Sequence, residues 1–226
     1  MPAEFSWSWS YAASCVPGLL HGLAVTLEAA GAGYVMALVL GLIWALARRS
    51  APAPVSRATV VVVEFVRSTP LLVQLYVFYF LLPEIGLPLS ALAVGILGLG
   101  LHYSAYVSEV YRAGLDAVPR EQWEAARALS LSTARTYRSI VLPQAVPAMI
   151  PVLGNYLMSL LKDTPLLSAI TVVDLLQQAK IQGSQSFRYV EPVTLVGLIF
   201  LVVSLGASIL IRKAEARWSR VEGRPL

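Results

Sequence analysis

Two charges fall where charges are unfavourable. Lys162 and Asp163 interrupt an otherwise apolar stretch, 147–176, and a Lys or Asp at the centre of a bilayer costs about 2.5–3.5 kcal/mol on insertion scales. They therefore need partners or a wet cavity. Adjacent residues on a helix point about 100° apart, so the two do not simply pair with each other. Pro165 removes a backbone hydrogen bond just beyond them and predicts a bend. A broken helix with polar side chains near mid-membrane is how transporters commonly build a solute site. Asn155, Ser159 and Thr164 on the same stretch can add hydrogen bonds, and Gln74 can contribute from an earlier one. A zwitterionic solute suits such a mixed lining. The competing reading puts Lys162 and Asp163 at the outer interface, where they cap or pair structurally.

Other reactive constellations are missing. His21 and His102 each stand alone, and the single Cys15 has no intrachain disulfide partner, so no metal site is expected. No Ser-His-Asp or Cys-His arrangement and no phosphate-binding glycine loop occurs. Gly95, Gly98 and Gly100 suit close helix packing instead. Glu64 and Arg67 are spaced i, i+3 and are expected to form a structural ion pair. Glu28 is expected near an interface.

The elements that must carry these residues follow from composition. Hydrophobic residues make up 57% of the 226 positions and charged residues only 13%, about half the charge of a water-soluble domain. Most of the chain must face lipid or other apolar helices. Five stretches are long and apolar enough to cross a membrane as helices: 19–47, 59–82, 90–107, 147–176 and 193–211. Gly and Pro recur within them, as membrane helices tolerate. The expectation is one all-α integral membrane domain with five spans.

Orientation follows from the cations. All but Lys162, Lys180 and Arg188 of the 17 Lys and Arg fall on one side, at 48–67, at 112–138 and in the tail that holds Arg212, Lys213, Arg217, Arg220 and Arg224. The positive side is cytoplasmic, which puts the N-terminus outside and the C-terminus inside. Residues 1–18 carry no positive n-region, and Trp7, Trp9 and Tyr11 suit a headgroup-level lead-in. Residues 216–226 read as a cytoplasmic tail.

The cytoplasmic segment between spans three and four, about 116–146, has a shape of its own. Pro119 suits the start of a helix, and Glu121 and Glu124 complement the dipole of its early turns. Good helix formers run over 120–129 until Ser130-Leu131-Ser132 breaks them. Ser132 can cap a second short helix, which Pro143 is expected to end. The result is a helix-turn-helix hook. Ala125 and Ala126 would let a partner's backbone approach, and Trp123, Leu129, Leu131 and Ile140 would supply apolar contact. A solvated loop lying on the membrane fits these local rules as well.

Glu124-Ala125-Ala126, a small residue at Ser130 and Ile140-x-Leu142-Pro143 follow the EAA-x3-G-x9-I-x-L-P pattern of ABC importer permeases. The spacing matches throughout; Ser130 stands where that family usually has Gly, at a steric cost on the order of 1 kcal/mol in a left-handed turn. The resemblance covers residues 19–215. Glu64–Gln74, Ala105–Gly114 and Leu161–Leu166 are similar to signatures of permeases for polar amino acids. Within that branch the strings PEIGLPLS, GLGLHYSAY and FRYVEP resemble permeases of ectoine and hydroxyectoine importers. The resemblance implies a type I ABC importer permease in a bacterial inner membrane, with Trp123, Glu124, Ala125, Ala126, Leu129, Ser130, Ile140, Leu142 and Pro143 coupling it to an ATPase dimer. It implies no cofactor in this chain, ATP and Mg being bound by that partner. A second permease subunit, homologous rather than identical, and an extracytoplasmic solute-binding protein complete the set. A secondary transporter would be expected to show internal repeats, and a membrane-embedded enzyme would need a convergent catalytic set; the sequence offers neither.

Overall fold

The computed structural model describes residues 6–221 and contains helices and turns only among them. Arg224, the rest of the tail beyond 221 and the first five residues of the expected lead-in lie outside the described residues. In chain order the helices are α1 (Trp9–Ser50), α2 (Ala53–Ser68), α3 (Leu71–Glu84), α4 (Ala91–Asp116), α5 (Arg120–Ala128), α6 (Thr133–Thr136), α7 (Leu142–Asp163), α8 (Leu175–Ser186) and α9 (Val190–Val221). A π-helical turn, Tyr137–Val141, joins α6 to α7, and a 3₁₀ stretch, Thr164–Ile170, follows α7.

Four of these helical stretches are long and apolar enough to cross a membrane, and α2 with α3 make a fifth candidate that is bent by 105°. The continuous span expected over 59–82 is therefore corrected, and the one expected over 147–176 ends at Ile170, before Asp174. Pro70 lacks an N–H and forces the residue before it out of helical space; Thr69 takes φ −104°, ψ 138°. The Thr69 hydroxyl donates back to the carbonyls of Phe65 (3.0 Å) and Val66 (3.2 Å), which closes the end of α2. Nor does Pro143 end a helix. It lies in the first turn of α7, and the π turn ahead of it, with Leu142 N–H bonded to the Tyr137 carbonyl, absorbs the lost hydrogen bond. Gln144 Nε2 donates to the Ile140 carbonyl at 2.8 Å. The second arm of the expected hook is thus the start of α7.

The residues fall into two compact units, which share the long helices. The first comprises residues up to Tyr34, Pro70–Leu99 and Ser159–Gly206. Its core gathers Cys15, Leu19, Leu175, Ala179 and Val196. The backbone at Asp174 and Leu175 lies so close to α1 that a Cβ on Gly22 would fall 2.8 Å from the Asp174 carbonyl oxygen, a distance only glycine allows. Tyr11 donates to the Gln182 carbonyl at 3.0 Å, with the Arg188 guanidinium 5.8 Å from its ring; Trp9 is exposed. The second unit comprises Val35–Thr69, Gly100–Met158 and residues from Ala207. One of its cores joins Val110, Leu115 and Val118 to Val141, Ala145 and Met149, with Trp123 and Tyr137 packed against it. That core fixes α5 against the ends of α4 and α7.

Candidate functional site

The coupling segment is built around the end of α5. Pro119 precedes the helix at φ −54°, ψ 141°, and Glu121 stands in its first turn. Ala126 is buried and Trp123 half-buried, three residues apart on the inward face. Glu121, Glu124, Ala125 and Ala128 are exposed on the other side, as i, i+3, i+4 and i+7 spacing on one helical face requires. The C-terminus is closed by a paired bond pattern: Leu131 N–H to the Ala126 carbonyl (3.0 Å) and Ser130 N–H to that of Arg127 (2.9 Å). This is a Schellman motif, whose penultimate position must be left-handed. Ser130 occupies it, at φ +51°.

The reversal that follows leaves Leu129 72% exposed at its tip. Ser132 then restarts the chain as an N-cap, its Oγ accepting from Arg135 N–H at 3.4 Å. Ile140 is half-buried, whereas Leu142 and Pro143 are exposed at the start of α7. The structure thus brings Glu124, Ala125, Leu129 and Ser130 to one projecting corner. It turns Trp123 and Ala126 inward as supports.

Behind the corner lies an ion-pair network whose links from α1 to α4, Arg48–Glu109 and Arg49–Asp116, no local sequence pattern announces. Asp116, at the end of α4, accepts from Arg49 Nη1 at 2.9 Å and from Arg112 Nη1 at 3.1 Å. Arg112 also donates to Glu109 at 2.8 Å, and Glu109 is paired with Arg48 as well. The Arg49 guanidinium stands 5.3 Å from the centre of the Trp123 ring, within cation–π range. Trp123 in turn meets Tyr137 edge-on at 5.4 Å. The ends of α1 and α4 are thereby tied to α5 and the π turn.

The Glu64–Arg67 pair is present at 3.0 Å on α2. The Arg67 guanidinium also lies 5.4 Å from the Tyr106 ring, and Tyr106 donates its hydroxyl to the Arg67 carbonyl at 3.3 Å. Along α7, Asn155, Ser159 and Lys162 are exposed at i, i+4 and i+7, so they share one helical face. Asp163 is half-buried where α7 gives way to the 3₁₀ stretch. Thr164 is fully buried and donates its hydroxyl to the Leu161 carbonyl at 2.8 Å, which removes it from any exposed lining. Gln74 is buried on α3.

Comparison with known proteins agrees with this architecture. The family model described as "Binding-protein-dependent transport system inner membrane component" matches residues 37–220. A probable amino-acid ABC transporter permease protein of Sinorhizobium fredii, y4tG, is 47% identical over 217 residues, which cover 96% of this chain and 94% of that one. The probable amino-acid ABC transporter permease protein YckA of Bacillus subtilis is 33% identical over 96% of each chain. Among solved structures, a chain from the crystal structure of an amino acid ABC transporter with histidines superposes with a TM-score of 0.88, at 34% identity, over 94% of this chain and all of that one. A chain of the MetNI methionine ABC transporter in an inward-facing conformation shares the fold at a TM-score of 0.65 and 20% identity.

Proposed function

This chain belongs to the family of binding-protein-dependent transport system inner membrane components, and we propose that its coupling to a separate ATPase runs through the corner formed by α5 and the Ser130 turn. It is a multi-pass plasma-membrane protein and the permease subunit of an amino-acid ABC importer. Members of this kind are transport subunits and not enzymes, and the family implies an ATPase partner and a second permease. In our reading ATP and Mg are bound by that ATPase, an extracytoplasmic binding protein delivers the solute, and the second permease is a homologous sister. The chain crosses the membrane five times with its N-terminus outside.

The observation that carries the coupling role is the Schellman-capped end of α5. It holds Glu124, Ala125 and Leu129 outward on a backbone that the half-buried Trp123 and the buried Ala126 keep rigid. A small-residue face with a carboxylate beside it suits insertion into a partner's groove. Glu124→Lys tests this: the variant should insert and assemble its helices normally, while solute uptake by the reconstituted importer is lost and ATP hydrolysis no longer follows solute. Uptake at the wild-type rate would defeat the docking role.

For the solute, the exposed α7 face with Asn155, Ser159 and Lys162 supports a polar, zwitterionic substrate, with Asp163 and Gln74 as flanking groups. Among such solutes we favour ectoine or hydroxyectoine, on the likeness of the strings around Pro83–Ser90, Gly98–Tyr106 and Phe187–Pro192 to permeases of those importers. Calorimetry of the partner binding protein against ectoines and polar amino acids decides between them.

A further inference from the structure

The end of α4, α5 and the chain that reverses after it enclose a cavity of about 790 Å³, bordered by Arg49, Asp116, Arg120, Trp123, Glu124 and Arg127. Three guanidiniums, Arg49, Arg120 and Arg127, face two carboxylates, Asp116 and Glu124, which leaves one cation in excess. Asp116 already accepts from both Arg49 and Arg112, so it does not neutralise the other cations. Arg120 and Arg127 form no ion pair among the described residues; the Arg127 side chain makes one long hydrogen bond, 3.4 Å, from Nε to the Trp123 carbonyl. Seven residues apart on α5, they lie two turns, about 10 Å, from one another on the same helical face. Leu115, Val118 and Leu131 add apolar wall.

We propose that this cavity receives an acidic side chain of the ATPase, its carboxylate set between Arg120 and Arg127 and its aliphatic stem against Trp123 and Leu131. The chemistry selects that occupant. Unpaired guanidiniums are forks that match a carboxylate, and the apolar wall rewards a short stem. The cavity shares α5 with the docking corner, so an ATPase seated on Glu124, Ala125 and Leu129 would reach it. This rests on the reading that the ATPase docks against α5. The corner would then be a two-part lock, with Leu129 as a knob offered to the partner and the cavity as a socket for a knob returned. Such charge matching sets register and partner choice more than raw affinity, which is what a permease needs in order to engage its own ATPase among many.

The test uses the whole importer in lipid nanodiscs, with ATPase retained by the affinity-purified permease as the readout. The paired variant Arg120→Glu, Arg127→Glu should hold about tenfold less ATPase at unchanged membrane abundance. Arg120→Lys, Arg127→Lys should hold the wild-type amount, and wild-type retention should fall as salt rises. Leu129→Asp serves as the control on docking itself. If the Glu variant keeps the ATPase while Leu129→Asp releases it, docking stands and the acidic occupant is wrong. If Leu129→Asp also keeps it, the docking reading fails and takes this one with it. Release by the Lys variant would show that charge is not what the cavity reads. Loss of co-purified anionic lipid with the ATPase still bound would make the occupant a headgroup and overturn the proposal.

Discussion

The guanidinium of Arg49 lies 5.3 Å from the ring centre of Trp123 while its Nη1 donates to Asp116 at 2.9 Å. One side chain at the end of α1 therefore touches both the last turn of α4 and the inward face of α5. Lys could keep the charge there, but not the planar fork that bonds a carboxylate and lies over a ring at once.

Arg49→Gln should loosen α5 without unfolding the segment, because Arg112 still holds Asp116 at 3.1 Å. The lost cation–π contact and the half-exposed ion pair together are worth about 1 kcal/mol. Hydrogen exchange of the α5 amides should rise by about fivefold, with α4 unchanged and Arg49→Lys nearly as affected. Equal protection of α5 in wild type and variant would mean that Trp123 is held by packing alone.

Ser130 makes a second local test. Its φ of +51° sits at the one position of the α5 cap where a side chain is a disadvantage. Ser130→Gly should raise stability by about 0.5–1 kcal/mol, and Ser130→Val should lower it by more, since a branched Cβ tolerates left-handed backbone worst. Thermal unfolding of the purified permease reads both. Identical melting temperatures for all three would show that the turn relaxes out of the left-handed region.

The sequence carried some of these features plainly and hid others, and the division is physical. The left-handed turn at Ser130 was legible because a helix that ends in a tight reversal needs one such residue, and the motif spacing located it. The break at Pro70 was visible as a proline but not as a bend. Membrane helices often carry proline and stay roughly straight, and only the extended conformation of Thr69 decides otherwise. Pro143 misled in the opposite sense, because a π turn of five residues can absorb the missing N–H and let the helix continue. Arg49 and Asp116 are 67 residues apart, so no periodicity or local rule joins them. Thr164 looked available as a polar residue in an apolar span, yet a hydroxyl that bonds its own helix needs no outside partner.

Asp174 links stability to pH. It caps α8, its Oδ1 accepting from Gln177 N–H at 2.8 Å, while its Oδ2 is buried without a hydrogen-bond partner. Burial raises its pKa from 3.8 to about 6, against the opposing pull of the Gln177 N–H and the Lys180 charge. A carboxyl whose folded pKa is raised binds its proton more tightly in the native state. Its contribution is therefore full below pH 3.8 and is lost as the pH rises through about 6. At neutral pH the buried carboxylate then costs on the order of 2–3 kcal/mol relative to its protonated form. Asp174→Asn, which keeps an oxygen for the Gln177 N–H and cannot ionise, should remove that dependence. Its melting temperature relative to wild type should climb between about pH 4 and pH 6 and level off above. A wild-type-to-variant difference that stays flat across that window would show the carboxylate to be hydrated or paired through Lys180, and the cap of α8 to be indifferent to its charge.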